Sequence, residues 1–207
     1  GGVRRRAAGA ASLSDDLAME ETWVVRGRLG YALSPRSTLW ALVAPLTVNA
    51  AGSVDREIRF AGETFAPGAA LDAEYRFNSY RLSYLYEVAA GPSFALAIGA
   101  TAKIREAHIE LRGDGRSASK DDVNFVPLVG FDARLVLAGP LALQIAGDAL
   151  AAPQGRAEDV RAVLRWTFAP DRAAFAGYRL LEGGADVDAV YTFALFHYAV
   201  AGVSLGF

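Results

Sequence analysis

From Trp23 to Leu33 the chain alternates with a period of two. Trp23, Val25, Gly27, Leu29, Tyr31 and Leu33 share one face, while Val24, Arg26, Arg28, Gly30 and Ala32 share the other. A helix, at about 3.6 residues per turn, would mix these sets, whereas a strand keeps them apart. The alternation returns along the chain. Residues 79–89 set Tyr80, Leu82, Tyr84, Tyr86 and Val88 against Arg81 and Glu87. Residues 123–138 set Phe125, Val129, Phe131, Leu135 and Leu137 against Asp132 and Arg134, and residues 158–169 set Val160, Ala162, Leu164, Trp166 and Phe168 against Asp159, Arg161 and Arg165.

Strands are expected over 21–33, 38–50, 71–89, 93–111, 122–138, 141–150, 158–169, 172–182 and 187–207. Turn chemistry separates several of them: Ser34-Pro35-Arg36-Ser37, Ala90-Gly91-Pro92, Gly139-Pro140 and Pro170-Asp171 are short connections where Pro fixes φ and Gly or Asp accepts unusual angles. Longer polar or Gly-rich connections are expected near 51–70, 113–121, 151–157 and 183–187. Short turns at one end and long loops at the other are the asymmetry of outer-membrane barrels. Such barrels usually have an even strand number, so residues 3–13 are expected to add a tenth strand, with eight strands as the second choice. Residues 1–207 form one domain in this reading, with residues 1–20 a truncated or irregular first strand. Pro45 and Pro127 fall inside strands, and each removes a ladder hydrogen bond, which places both at a rim or a bulge.

Composition narrows the choice. Hydrophobic residues make up 53% of the chain against 21% charged, yet no apolar run approaches the roughly 18 residues of a spanning helix. Strands with one apolar face reconcile the two facts. There is no Cys, which excludes disulfides, thiolate metal sites and a Cys nucleophile. A net charge of -2 gives no basic surface for nucleic acid. The chain opens Gly1-Gly2-Val3-Arg4-Arg5-Arg6 without an apolar segment behind the arginines, so a removed export signal or a truncated start is expected.

Alternation alone does not say which face meets water, and a soluble lipocalin-like barrel would turn its apolar side inward. Two features favour the reverse. The apolar face carries Trp, Tyr, Phe and Leu on almost every strand, too bulky a set for the interior of an eight- to ten-stranded barrel. Trp23, Trp40, Tyr84, Tyr86, Trp166, Phe168 and Tyr178 also gather towards strand ends, as interfacial girdles do.

The last strand adds the most specific signal. Tyr191, Phe193 and Leu195, then Ala199, Ala201, Val203, Leu205 and the final Phe207, alternate with smaller or polar residues. This ending resembles the assembly signal of outer-membrane barrel proteins, with Val203, Leu205 and Phe207 as its carriers. The chain as a whole resembles the small barrels of the outer-membrane protein A and porin-like type. The resemblance implies a closed antiparallel up-and-down barrel in a bacterial outer membrane. It implies as partners the surrounding lipid, lipopolysaccharide and the barrel assembly machinery.

With the apolar face outward, the lumen is expected to hold Arg26, Arg28, Arg81, Glu87, Lys103, Arg105, Asp132, Arg134, Asp148, Asp159, Arg161, Arg165 and Arg179. Cations dominate this set. Either Arg–Asp and Arg–Glu bridges plug the lumen, or a ring of Arg makes a narrow anion-preferring conduit or binding cavity. Catalytic signals are weak. The two histidines are His108, expected on a strand extension, and His197, expected to face lipid or the interface. Neither is followed two residues on by Ser, as in the outer-membrane lipases and deacylases. Asp121-Asp122 with His108 mimics part of an omptin-like site. Gly183-Gly184-Ala185-Asp186-Val187-Asp188 spaces oxygen ligands like a cation loop but lacks a closing Glu, and a tight hairpin is expected there. Asp15-Asp16 after Ser14 is expected to cap a short turn. No cofactor or metal is expected. Three readings therefore stand: a structural or surface-interaction barrel, a small anion channel or solute transporter, and a membrane-embedded hydrolase.

Overall fold

The structure is a computed structural model and describes residues 18–19, 22–152, 155–187 and 190–207, with side chains at 22–150, 157–182 and 195–207. Among the described residues there is no helix. The strands are β1 (Ala18–Met19), β2 (Gly27–Ser34), β3 (Ser37–Ala44), β4 (Thr47–Ser53), β5 (Ile58–Phe60), β6 (Glu63–Phe65) and β7 (Ala70–Ala90). They continue as β8 (Phe94–Gly113), β9 (Arg116–Ala138), β10 (Leu141–Ala152), β11 (Gly155–Ala169), β12 (Arg172–Val187) and β13 (Val190–Leu205).

From β7 to β13 each strand pairs with the next in sequence. On its other side β7 pairs with both β3 and β4, while β3 pairs with β2 and β4 with β1. The strand expected over 21–33 begins only at Gly27 and runs unbroken to Ser34, while the one expected over 38–50 is interrupted. Pro45 sits in the break between β3 and β4, where a residue without an N–H cannot extend the ladder. Pro127 lies within β9 and is exposed. The tenth strand expected over 3–13 and the cap at Asp15-Asp16 lie outside the described residues. Among the described residues no ladder joins β13 to β2.

Several expected loops are strand instead. β8 and β9 run on to meet at Asp114 and Gly115, whose φ values of 54° and 69° make the left-handed two-residue turn that suits a twisted hairpin. The loop expected over 51–70 contains the hairpin β5–β6, turning at Ala61 and Gly62. Of the connection expected over 151–157, residues 151–152 belong to β10 and 155–157 to β11, and 153–154 lie outside the described residues. Residues 183–187 belong to β12, and the expected cation loop continues at Asp188, outside that set. The physical reason is shared: these extensions lose the outward apolar residues, so their alternation fades in the sequence.

The chain divides into two compact units. Among the described residues, unit 1 comprises those within 18–27, 42–80 and 104–125; unit 2 comprises those within 28–41, 81–103 and 126–207. In unit 1, Ala50, Ile58, Phe65, Ala69, Leu71, Ala73, Leu111 and Ala118 form a buried apolar cluster. Ile58 and Phe65, from the β5–β6 hairpin, are its most buried members. Their neighbours along the strands, Asn49, Asp72, Arg112, Ser117 and Ser119, are exposed. That is the ordinary polarity of a water-facing domain.

Unit 2 has the opposite polarity. Leu82, Tyr84, Tyr86, Val88, Val129, Leu135, Leu137, Leu164, Trp166, Val203 and Leu205 are exposed, with Leu164 at 51% and Trp166 at 54%. Arg81, Lys103, Asp148, Asp159 and Arg179 are buried, with Arg81 at 4% and Asp159 at 3%. The same strand of unit 2 therefore leaves its apolar side exposed and buries its charged one. Its sheet is also curled. Arg81 on β7 donates to Asp148 on β10 at 2.7 Å and to Asp159 on β11, three and four strands along. A flat sheet would hold β7 and β11 about 19 Å apart at roughly 4.8 Å per strand. Contact at hydrogen-bond length requires the charged side to be concave.

Candidate functional site

The concave face of unit 2 is built from strands whose inward positions alternate with its apolar outer ones. Four groups on it converge. Asp159 accepts two bonds from Arg179, Nε at 2.7 Å and Nη2 at 3.0 Å, and another from Arg81. Arg81 also donates through Nη1 to Asp148. The bidentate fork and the double use of each carboxylate satisfy charges that would otherwise be buried at a cost of several kcal/mol.

Hydroxyls extend this network. Thr101 on β8 donates to Asp148 on β10 and lies 2.7 Å from Ser83 Oγ on β7. Those two strands are separated by β9, and the residue between them there is Gly130. A Cβ on Gly130 would stand 2.9 Å from Thr101 Oγ1 and 3.1 Å from Asp148 Oδ1. The missing side chain is what lets the Thr–Asp contact form across an intervening strand.

A second group surrounds Asp132. Gln144 Nε2 donates to both its carboxylate oxygens, at 2.7 and 2.9 Å, and Arg28 Nη1 lies 3.7 Å from Oδ2. Arg28 also stacks 3.9 Å over the ring of Trp40, which itself covers Gly30, where a Cβ would come within 2.4 Å of the ring. Trp40 therefore belongs to the concave face and not to the outer aromatic girdle expected of it. The parity of Leu39, Ala41 and Val43 carried that signal, since Trp40 has the opposite one. Two further inward cations rest on rings: Arg161 lies 5.2 Å over Phe175 and Arg179 lies 4.7 Å over Tyr198. Sequence reasoning missed these aromatic floors.

The expected lumen set divides between the units. Arg28, Arg81, Glu87, Lys103, Asp132, Arg134, Asp148, Asp159, Arg161, Arg165 and Arg179 lie in unit 2. Arg26 and Arg105 lie in unit 1, where Arg105 pairs with Asp122 at 2.7 Å while its Nε is buried without a partner. Arg165 reaches Ser204 Oγ at 3.4 Å, and Arg134 is exposed. Val203, Leu205 and Phe207 are all exposed.

Unit 1 offers two smaller features. His108 Nδ1 pairs with Asp121 Oδ1 at 2.7 Å, but among the described residues no Ser or Thr hydroxyl bonds to His108. A Ser–His–Asp relay needs that third contact. His197 in unit 2 is exposed and hydrogen-bonds the Tyr178 hydroxyl. A shallow pocket of ≈ 200 Å³ is lined by Asn49, Asp72, Glu74, Glu110 and Arg112 with three alanines. There the Arg112 guanidinium and then the Ser117 hydroxyl hold the Glu110 carboxyl below its ordinary range.

The bridged part of the concave face thus combines fixed, mutually neutralising charges, and among the described residues no nucleophile there is set beside a base. A scan against protein-family models finds no match to this chain, and searches of curated proteins and of solved structures find none either.

Proposed function

We propose that the chain is a membrane-spanning β-barrel of a bacterial outer membrane whose charged interior is bridged shut, acting as a structural or surface-interaction protein rather than as a conduit. One observation carries the reading: in unit 2 large apolar side chains are exposed while Arg81, Asp148, Asp159 and Arg179 are buried. Soluble monomers rarely expose contiguous apolar patches beyond a few hundred Å². Hydrocarbon would cover such a surface, and a spanning strand needs about 9–11 tilted residues. The outward apolar positions from Phe94 to Ala102 and from Val129 to Leu137 fit that span.

The interior argues for closure to solutes. Arg81, Asp148, Asp159, Arg179 and Thr101 bond one another across the concave face and leave side chains where a pore would need water. Unit 1, with its apolar core and polar exterior, fits a part standing in water and available to lipopolysaccharide or another surface partner. The resemblance of the last strand supports delivery by the barrel assembly machinery.

The test is refolding of the full chain into phosphatidylcholine vesicles. Protease-protected, heat-modifiable migration on gels and an absence of conductance steps in planar bilayers are the expected results. A chain that stays monomeric and folded in detergent-free buffer sinks the membrane reading, and regular single-channel steps sink the sealed interior.

A further inference from the structure

The bridged cluster leaves one part of the concave face of unit 2 with cations and too few partners. Gln144 on β10 pairs with Arg134 on β9 and with Val163 on β11. Arg134 is therefore level with Val163, which lies between Arg161 and Arg165 on its own strand. Three guanidinium stems surround Gln144 across two strand spacings, roughly 10 Å, which long arginine side chains can close.

The charges here do not balance. Arg81 and Arg179 are met by Asp148 and Asp159; Asp132, already in contact with Gln144 and Arg28, is the carboxylate that Arg161 and Arg165 share, and Arg161 also faces Asp159, itself bonded to Arg81 and Arg179. The charges acting on Arg165 are those of Arg134, Asp132 and Arg161, two like and one opposite. Its hydrogen bond goes to the neutral Ser204, Arg161 rests on Phe175, and Arg134 makes no bond among the described residues. Like charges on a wall of low dielectric repel unless a counter-charge joins them. The place is also reachable: Arg134 is exposed, Arg165 is half-buried, and both stand near the short turns at Gly139-Pro140 and Pro170-Asp171.

We propose that Arg134, Arg161 and Arg165 bind a small oxyanion of the phosphate class, with Gln144 beneath it. Guanidinium forks match the several oxygens of a tetrahedral anion, which a halide does not offer. The inference goes beyond the sealed-barrel reading and does not need the membrane, because it rests on the concave face alone.

The test is calorimetric titration of the full chain in a zwitterionic detergent with inorganic phosphate, against chloride at equal ionic strength. Saturable phosphate binding that chloride does not reproduce is expected. Arg134→Gln should weaken it at least about tenfold, the equivalent of one charge-assisted hydrogen bond. Because Arg134 is exposed and unbonded, that variant should keep the heat-modifiable migration of the parent. Arg134→Gln with Arg165→Gln should abolish binding, while Arg76→Gln in unit 1 should leave it unchanged. A short-chain anionic phospholipid separates the other source of the same chemistry. No saturable phosphate signal, a signal unmoved by Arg134→Gln, or binding of the lipid alone would each overturn the proposal. Failure of vesicle insertion with phosphate binding intact would sink the membrane reading and leave this one standing.

Discussion

Asp159 serves two guanidinium groups at once while 3% exposed; its removal takes the carboxylate from Arg179 and leaves Arg81 with Asp148. Asp159→Asn is expected to cost about 3–5 kcal/mol, the range for breaking a buried ion pair from one side. Thermal or denaturant unfolding in detergent reads it, and a loss below about 1 kcal/mol would mean that water reaches the pair. Gly130→Ala makes a sharper geometric test. Its Cβ intrudes on the Thr101–Asp148 contact, so a loss of roughly 1–3 kcal/mol is expected, as for overpacking elsewhere. Thr101→Val in the Gly130→Ala background should then add little, because the contact is already gone. At this scale the sequence was informative about side and silent about partner. Parity placed Arg81, Asp148, Asp159 and Arg179 on one face, but the pairing of residues 67 and 78 positions apart depends on curvature, which alternation does not encode. Trp40 was misread for a related reason. Its ring looked like a girdle residue by type, while its position on β3 put it under Arg28.

Each strand of unit 2 offers a natural comparison between its two sides. Leu164→Arg, on the exposed side of β11, is expected to destabilise the vesicle-inserted protein by about 2–4 kcal/mol if that side meets hydrocarbon near mid-depth. The same change at Ser119, on the exposed side of β9 in unit 1, should stay within about 0.5 kcal/mol. Equal costs at the two positions would remove the distinction between the units. A pH measurement belongs here too. The Glu110 carboxyl is held low by Arg112 and Ser117, so its contribution is present above the ordinary carboxylate range and is lost as pH falls through the lowered value. Amide protection around the Asp114-Gly115 turn, taken relative to the intrinsic exchange rate at each pH, should therefore fall on acidification, and Glu110→Gln should remove that dependence. The strand centres were legible because apolar and charged residues alternate there. The extensions were not, because in unit 1 the buried and exposed chemistries exchange roles and polar exteriors read as loops. Asp114-Gly115 between alternating flanks was a hairpin signal that could have corrected the expectation over 113–121.

For the molecule as a whole, the described pairing proceeds strand to neighbouring strand from β7 to β13, a sequence-local order that favours hairpin-by-hairpin formation. The charged braces do not respect that order. Arg81 is made early in the chain, yet Asp148 and Asp159 arrive 67 and 78 residues later. On the proposed membrane reading, a partly built sheet ending before β10 would lack the Asp148 and Asp159 carboxylates that meet Arg81. Translocation of the early hairpins should then stall at the surface until the late ones arrive, so that entry is all-or-none and no stable half-inserted species accumulates.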